Sequence, residues 1–139
     1  MKMNRKINDS IFGEMEYKFG WFKKEILNLW GNEYEVIIKA LTYNENNITE
    51  AQRDSYLKLK NNINEISDKS LDFLKDYIVK NYKEKIERKE IFKLVFPKMI
   101  LFKQNGDFGI LCDTSLDEEN GFVIIISPKY EVGIQDIFL

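Results

Sequence analysis

The sequence predicts an α+β domain, because stretches with strand periodicity lie at both ends of the chain and a stretch with helical periodicity lies between them. The chain has 139 residues, of which 44% are apolar, and this is enough to build the core of one domain. We therefore predict a single domain, residues 1–139. Its mostly antiparallel sheet would combine an N-terminal meander with C-terminal strands, and two or three helices at about 49–94 would pack on one face.

The N-terminal section, residues 7–42, has the pattern of a β-meander. Apolar and charged residues alternate from Ile11 to Phe19, as expected for a half-buried strand. Two further strand-like stretches flank the dipeptide Gly31-Asn32. This dipeptide predicts a tight hairpin with a Gly-first loop.

The central section has the pattern of helices. Thr49 and Gln52 are spaced as in a capping box, which predicts a helix start. Apolar residues then recur at helical spacing as far as Ile78, with a weak stretch at 61–68 that predicts two successive helices. A third, shorter helix is predicted to end before Pro97.

The C-terminal section predicts three antiparallel strands between residues 97 and 127. Asn105-Gly106 is the strongest short hairpin signal in the chain. The last of these strands is apolar on both faces, so we expect a central strand covered on both sides. The segment after it is predicted to be an edge strand or a docked extended segment, with its large apolar residues out of water.

Several classes of chemistry are excluded by residues that the chain lacks. It has no His, which excludes His-dependent catalysis and His metal sites, and it has one Cys, which excludes an intramolecular disulfide. No phosphate-binding glycine motif occurs, so no cofactor is predicted. The single thiol, Cys112, shares strand parity with Phe108 and Ile110 and is predicted to be a buried core residue.

The charge and the apolar pattern predict a cytoplasmic protein that does not enter a membrane. The net charge is −2, which gives no overall field toward nucleic acid or lipid and makes nucleic acid an improbable partner. The longest apolar run is too short to span a bilayer, and the N-terminus has no secretory pattern.

A short segment with four carboxylates is the first candidate functional site. Asp113, Asp117, Glu118 and Glu119 lie between two strands that are predicted to be buried. Such a segment can be a solvated turn, a loose Mg²⁺ site, or a docking surface for a basic partner. The spacing does not match a calcium loop of the EF-hand type.

The aromatic pair Trp21-Phe22, next to Gly20, is the second candidate. Trp and Tyr are favoured at binding interfaces, so this pair is a candidate anchor for a partner. The competing interpretation is that these aromatic residues belong to the core.

Several stretches together resemble a group of small bacterial α+β domains of unknown function. They are "FGEMEY", "WGNEYEVIIKAL", "ILFKQNGDFGILCDTSLDEENGFVII" and "VGIQDIFL". Some members of that group are encoded beside polymorphic or contact-dependent toxins, which implies an immunity-protein role. The position of Asn120 is often His in that group, and its replacement here favours a structural or binding role. The resemblance assigns no catalytic residues.

From these observations we predict a non-enzymatic protein that binds a protein partner, such as a cognate toxin domain. The four carboxylates and the pair Trp21-Phe22 would form an acidic and aromatic surface that docks onto a basic cleft. One alternative is a metal-assisted hydrolase that uses Asp113 and Glu119. The other is a homodimer module in which the C-terminal segment pairs across subunits.

Overall fold

The computed structural model describes residues 5–43, 45–83 and 85–139 and confirms the α+β class. Eight strands form one sheet in which the spatial order follows the chain order. The first four strands are β1 (Lys6–Asp9), β2 (Gly13–Tyr17), β3 (Trp21–Leu29) and β4 (Asn32–Ala40). The last four are β5 (Val95–Phe102), β6 (Phe108–Thr114), β7 (Phe122–Ser127) and β8 (Glu131–Ile134).

All neighbouring strands are antiparallel except β4 and β5, which are parallel. A parallel pair needs a long crossover connection, and here the helices supply it. They are α1 (Glu50–Asn61) and α2 (Ile63–Tyr82), followed by a short 3-10 helix (Arg88–Lys93). Both long helices pack on one face of the sheet, over the main core. We call the other side the open face.

The capping box at the start of α1 is confirmed. The backbone N–H of Gln52 donates to Thr49 Oγ1 at 3.1 Å, and the Thr49 N–H donates to Gln52 Oε1 at 2.9 Å. The two helices meet at Asn62, within the predicted weak stretch. The third predicted helix is present only as the 3-10 helix, because β5 begins two residues before Pro97.

The buried side chain of Gln52 also joins α1 to the sheet. Its Nε2 donates to the carbonyl oxygen of Leu41 at 2.9 Å and to that of Phe102 at 3.0 Å. These carbonyls lie where the parallel strands β4 and β5 end. One completely buried amide therefore fixes the start of α1 against the parallel junction.

The β3–β4 hairpin loop lies one residue earlier than predicted. Its two residues are Trp30 (φ 55°) and Gly31 (φ 81°), and β4 already includes Asn32. Two positive φ angles are typical of a type I′ turn. The Trp30 backbone N–H donates to Ser67 Oγ at 2.7 Å and its indole N–H donates to Ser70 Oγ at 3.0 Å. These contacts with α2 hold a non-glycine residue in the left-handed region.

Strand β7 is covered on both sides, as predicted, but it is seventh in an eight-stranded sheet rather than central. Phe122 and Ile124 face the helices, and Val123 is fully buried on the open face. The cover there comes from the C-terminal segment, in which β8 is followed by the 3-10 helix Gln135–Ile137.

Phe138 forms most of this cover. It is 4% exposed and packs in a small cluster with Leu101, Leu111 and Val123. The expectation that all the apolar residues of the segment are buried was wrong, because Ile137 and Leu139 remain exposed. Within residues 5–43, 45–83 and 85–139, no helix has the length and apolar character needed to cross a membrane.

Candidate functional site

The acidic segment joins β6 to β7 at one end of the sheet. Asp113 is exposed near the end of β6 and pairs directly with Phe96 of β5, so both side chains lie on the open face. Phe96, Asp113 and Glu118 line a shallow cavity of about 350 Å³. We call these three residues the acidic–aromatic surface.

Hydrogen bonds fix the backbone of the acidic segment. The Ser115 N–H donates to the Leu94 carbonyl at 3.1 Å, and the Leu116 N–H donates to Thr114 Oγ1 at 3.1 Å. Near its end, the Gly121 N–H donates to the carbonyl of Asp117 at 2.9 Å. The backbone of the segment is thus held at both ends, which fixes the positions from which its exposed side chains extend.

Asp117 has a structural role within this segment. Its carboxylate accepts hydrogen bonds from the Asn120 backbone N–H at 3.1 Å and from the Asn120 side-chain amide at 3.1 and 3.2 Å. This is a turn closed by an Asp side chain. The side-chain amide of Asn120 thus donates to the turn, which gives this residue a structural role.

The other three carboxylates are exposed. Asp113, Glu118 and Glu119 take part in no ion pair among the residues that the structure describes. Over the same residues, no group of three or more Asp, Glu, Cys or His side chains is placed to hold a metal ion.

Sequence analysis missed Phe96, which is 38% exposed beside Asp113. The stretch before Pro97 was predicted as the end of a helix, whereas β5 starts at Val95. Val95 and Pro97 are buried and Phe96 between them is exposed. All three residues are apolar, so the sequence pattern carries no signal that distinguishes the exposed Phe96 from its buried neighbours.

Trp21 is a core residue and does not form a surface with Phe22. It is 2% exposed, its indole N–H donates to the Asn46 carbonyl at 2.9 Å, and its ring meets Tyr17 edge-on at 5.1 Å. Successive strand residues point to opposite faces, so an adjacent pair cannot anchor the same partner. The prediction that Trp21 and Phe22 form one surface is therefore corrected.

Phe22 lies on the open face but far from the acidic segment. Its register row runs through Lys39 and Leu101 to Gly109. Asp113 is therefore three strands away from Phe22, which is about 14 Å across the sheet. It also lies four residues beyond Gly109, which is about 13 Å along the strand. The structure does not bring Phe22 together with the predicted carboxylates.

The motif residues that carry the resemblance meet in structural contacts. Gln135 Nε2 donates to the Cys112 carbonyl at 3.0 Å and passes directly over Gly121. A Cβ atom at Gly121 would overlap the Gln135 amide and lie 2.7 Å from the Cys112 oxygen. A Cβ at Gly109 would lie 2.9 Å from the Ile124 oxygen. These residues hold β6, β7 and the C-terminal segment together.

Cys112 is a core residue, as predicted. It is fully buried on the helix-facing side of β6. Burial, and then the negative charge of Asp113, raise the pKa of the thiol above its usual value. The thiol is therefore kept protonated and unreactive at neutral pH.

A polar network between α1 and the N-terminal strands was also missed by sequence analysis. Arg53 donates to the buried carboxylate of Asp9 at 2.7 and 3.0 Å, and the amides of Ile11 and Phe12 donate to the same carboxylate at 3.0 Å each. Burial by itself raises the pKa of Asp9. The hydrogen bonds and the charge of Arg53 outweigh it, so the pKa lies below its usual value.

Glu25 on β3 is the centre of a second group in this network. It accepts a hydrogen bond from the Tyr56 hydroxyl at 2.5 Å and pairs with Lys60 and with Lys23, the latter at 3.2 Å. Burial raises the pKa of Glu25, but these donors bring it below its usual value. Burial and the neighbouring carboxylate raise the pKa of the Tyr56 hydroxyl.

The two lowered carboxyl pKa values predict acid sensitivity. Asp9 and Glu25 stabilise the folded state fully when the pH is above their unfolded-state pKa values, about 3.9 for Asp and about 4.3 for Glu. This stabilisation is lost as the pH falls through their lower folded-state pKa values. We expect the free energy of unfolding to fall between about pH 5 and pH 3 in urea titrations. Asp9→Asn should cost about 2 kcal/mol at pH 7 and flatten this decline, because Arg53 loses its buried partner and keeps only the exposed Glu50.

The exposed Glu33→Gln serves as the control for the acid titration and should leave the profile unchanged. If Asp9→Asn gives the same pH profile as the wild-type chain, the Asp9 contribution to acid sensitivity is contradicted.

Comparison with known proteins identifies a family for this chain. No curated protein and no solved structure matches the chain. A family model described as a domain of unknown function (DUF6985) matches residues 11–139, which include all the helices and seven complete strands. The chain therefore belongs to this family of domains of unknown function.

Proposed function

We propose that this protein is a non-enzymatic binding protein of the bacterial cytoplasm that neutralises a cognate toxin domain by docking on a basic cleft. The docking site is the acidic–aromatic surface, with Glu119 beside it. The observation that supports the proposal most directly is the exposed ring of Phe96 next to carboxylates that have no cation partner among the described residues.

The two kinds of side chain have different roles in such a complex. Asp113 and Glu118 attract a basic surface, which raises the association rate and penalises acidic partners. The Phe96 ring becomes buried on contact and acts as the anchor that slows dissociation. The rigid backbone of the segment lowers the entropy cost of binding, because little ordering remains to be done.

The proposal is tested by co-expression with the toxin domain encoded by the adjacent gene. The wild-type chain should restore growth and co-purify with the toxin. Phe96→Ala should weaken binding by about tenfold to a hundredfold, as expected for an anchor residue. Asp113→Asn with Glu118→Gln should slow association and reduce its dependence on salt.

Phe92→Ala and Asp76→Asn are matched controls, because both residues are exposed and do not line the acidic–aromatic surface. Neither change should alter binding. An adjacent gene that encodes no toxin domain would contradict the immunity role. Unchanged affinity in Phe96→Ala and in the double carboxylate variant would contradict the docking site.

A further inference from the structure

The open face carries a second feature, a groove at the opposite end of β5 from Phe96. Its volume is about 330 Å³, within the size range of small-molecule sites. Met99, Leu101 and Leu111 line its floor, and Phe138 forms a wall. Lys103, which borders it, is seven residues beyond Phe96, roughly 20 Å along the strand. The groove shares no lining residue with the acidic–aromatic surface, and Leu111 on its floor lies two positions from Asp113 on the same face of β6.

Two lysines supply the polar groups at the edge of this hydrocarbon groove. Lys39 is half-buried, and its stem lies against Gly20, where a Cβ would be 2.8 Å from the Lys39 Cε. The Lys103 ammonium lies 4.1 Å from the centre of the Phe138 ring. Among the described residues, neither lysine takes part in an ion pair.

The lining offers no free strand edge on which an extended peptide could add. Strands β4, β5 and β6 each have a neighbour on both sides, and the N–H groups of Phe138 and Leu139 already donate to the Gln135 carbonyl. A peptide would therefore bury its own amides against hydrocarbon without partners, which is costly. A hydrocarbon chain has no such requirement.

From this lining we propose that the groove binds a single-chain amphiphile with an anionic head, of the class of a medium-chain fatty acid. The acyl chain lies along Met99, Leu101 and Leu111, next to the Phe138 ring. The carboxylate lies beside the ammonium groups of Lys39 and Lys103. The flexible side chain of Met99 adapts to the acyl chain.

The test is a titration of the full chain with decanoate below its micelle concentration, followed by NMR of ¹³C-labelled methionine methyl groups. The Met99 signal should shift in a saturable manner, and the signal of Met15, which is 1% exposed in the main core, should not. The double variant Lys39→Gln/Lys103→Gln should weaken binding by about tenfold or more.

Lys24→Gln/Lys98→Gln is the matched control, because both lysines are exposed and lie outside the groove lining. It should bind decanoate like the wild-type chain. Decanol and decyltrimethylammonium should bind at least about tenfold more weakly than decanoate.

The proposal is overturned if the Met99 signal shows no saturable shift, or if decanol binds as tightly as decanoate. It is also overturned if the two double lysine variants lose the same affinity for decanoate, or if the chain binds anionic vesicles but not monomeric decanoate. Light scattering that shows a dimer with the groove closed between two copies would also overturn it. None of these outcomes depends on the toxin-binding proposal.

Discussion

Gln52→Glu is expected to lower the free energy of unfolding by about 4 kcal/mol or to prevent folding. The amide of Gln52 is completely buried and donates to the carbonyls of Leu41 and Phe102. A carboxylate of the same shape has no proton to donate, and it places an unpaired charge against two carbonyl oxygens in the core. Urea unfolding followed by tryptophan fluorescence measures the loss.

Two further variants separate the effect of the buried charge on stability from the effect of the side-chain shape. Gln52→Met keeps the approximate volume without a charge and should cost about 2 kcal/mol, because the carbonyls and the Thr49 N–H lose a partner. Gln104→Glu introduces the same charge at a half-buried position and should cost less than about 0.5 kcal/mol. Equal stability of Gln52→Glu and Gln52→Met would show that buried charge is not the reason.

Gly121→Ala is expected to have the second-largest effect, a loss of about 3 kcal/mol. Gly121 has φ 64°, a region that costs an L-residue about 1 kcal/mol. The new methyl group would also overlap the Gln135 amide and approach the Cys112 carbonyl, which breaks the hydrogen bond between them. The loss of that bond and the steric overlap account for the remaining cost.

Gly13→Ala is the matched control for this change. Gly13 has φ 83°, but a Cβ atom there would meet no atom within 4 Å. It should therefore show the backbone cost of about 1 kcal/mol alone. If the two variants lose the same free energy of unfolding, the crowding by Gln135 makes no contribution. A double variant with Gln135→Ala should recover part of the loss of Gly121→Ala, since the two sites are in contact.

The parts of the fold that were predicted correctly depend on short-range chemistry. The capping box of Thr49 and Gln52 spans four residues, and the β5–β6 hairpin predicted from Asn105-Gly106 turns within residues 103–107. Each depends on backbone groups that lie close together in the chain, so its residue pattern is visible without the fold. The alternation in the N-terminal meander likewise reports which side of a strand meets a core.

The errors have long-range causes. The β3–β4 loop was predicted one residue too late in the sequence. Its actual position depends on Ser67 and Ser70, on a helix far along the chain, which accept hydrogen bonds from the backbone and indole N–H groups of Trp30. Trp21 was proposed as a surface anchor, although its indole N–H donates to a backbone partner 25 residues away, the carbonyl of Asn46. Such contacts do not affect the local spacing of apolar residues, so the sequence pattern does not reveal them.

The fold class, the order of strand-rich and helical sections along the chain and the absence of imidazole chemistry follow from residue types and from periods of two and 3.6. The parallel pairing of β4 with β5, the exposure of Phe96 beside Asp113 and the groove between Lys39 and Lys103 are visible only in the folded molecule. The physical reason is that a surface is formed by residues from different strands. The β5–β6 register follows from their hairpin, but the parallel register of β4 with β5 and the position of Phe138 depend on packing between segments that are distant in the chain.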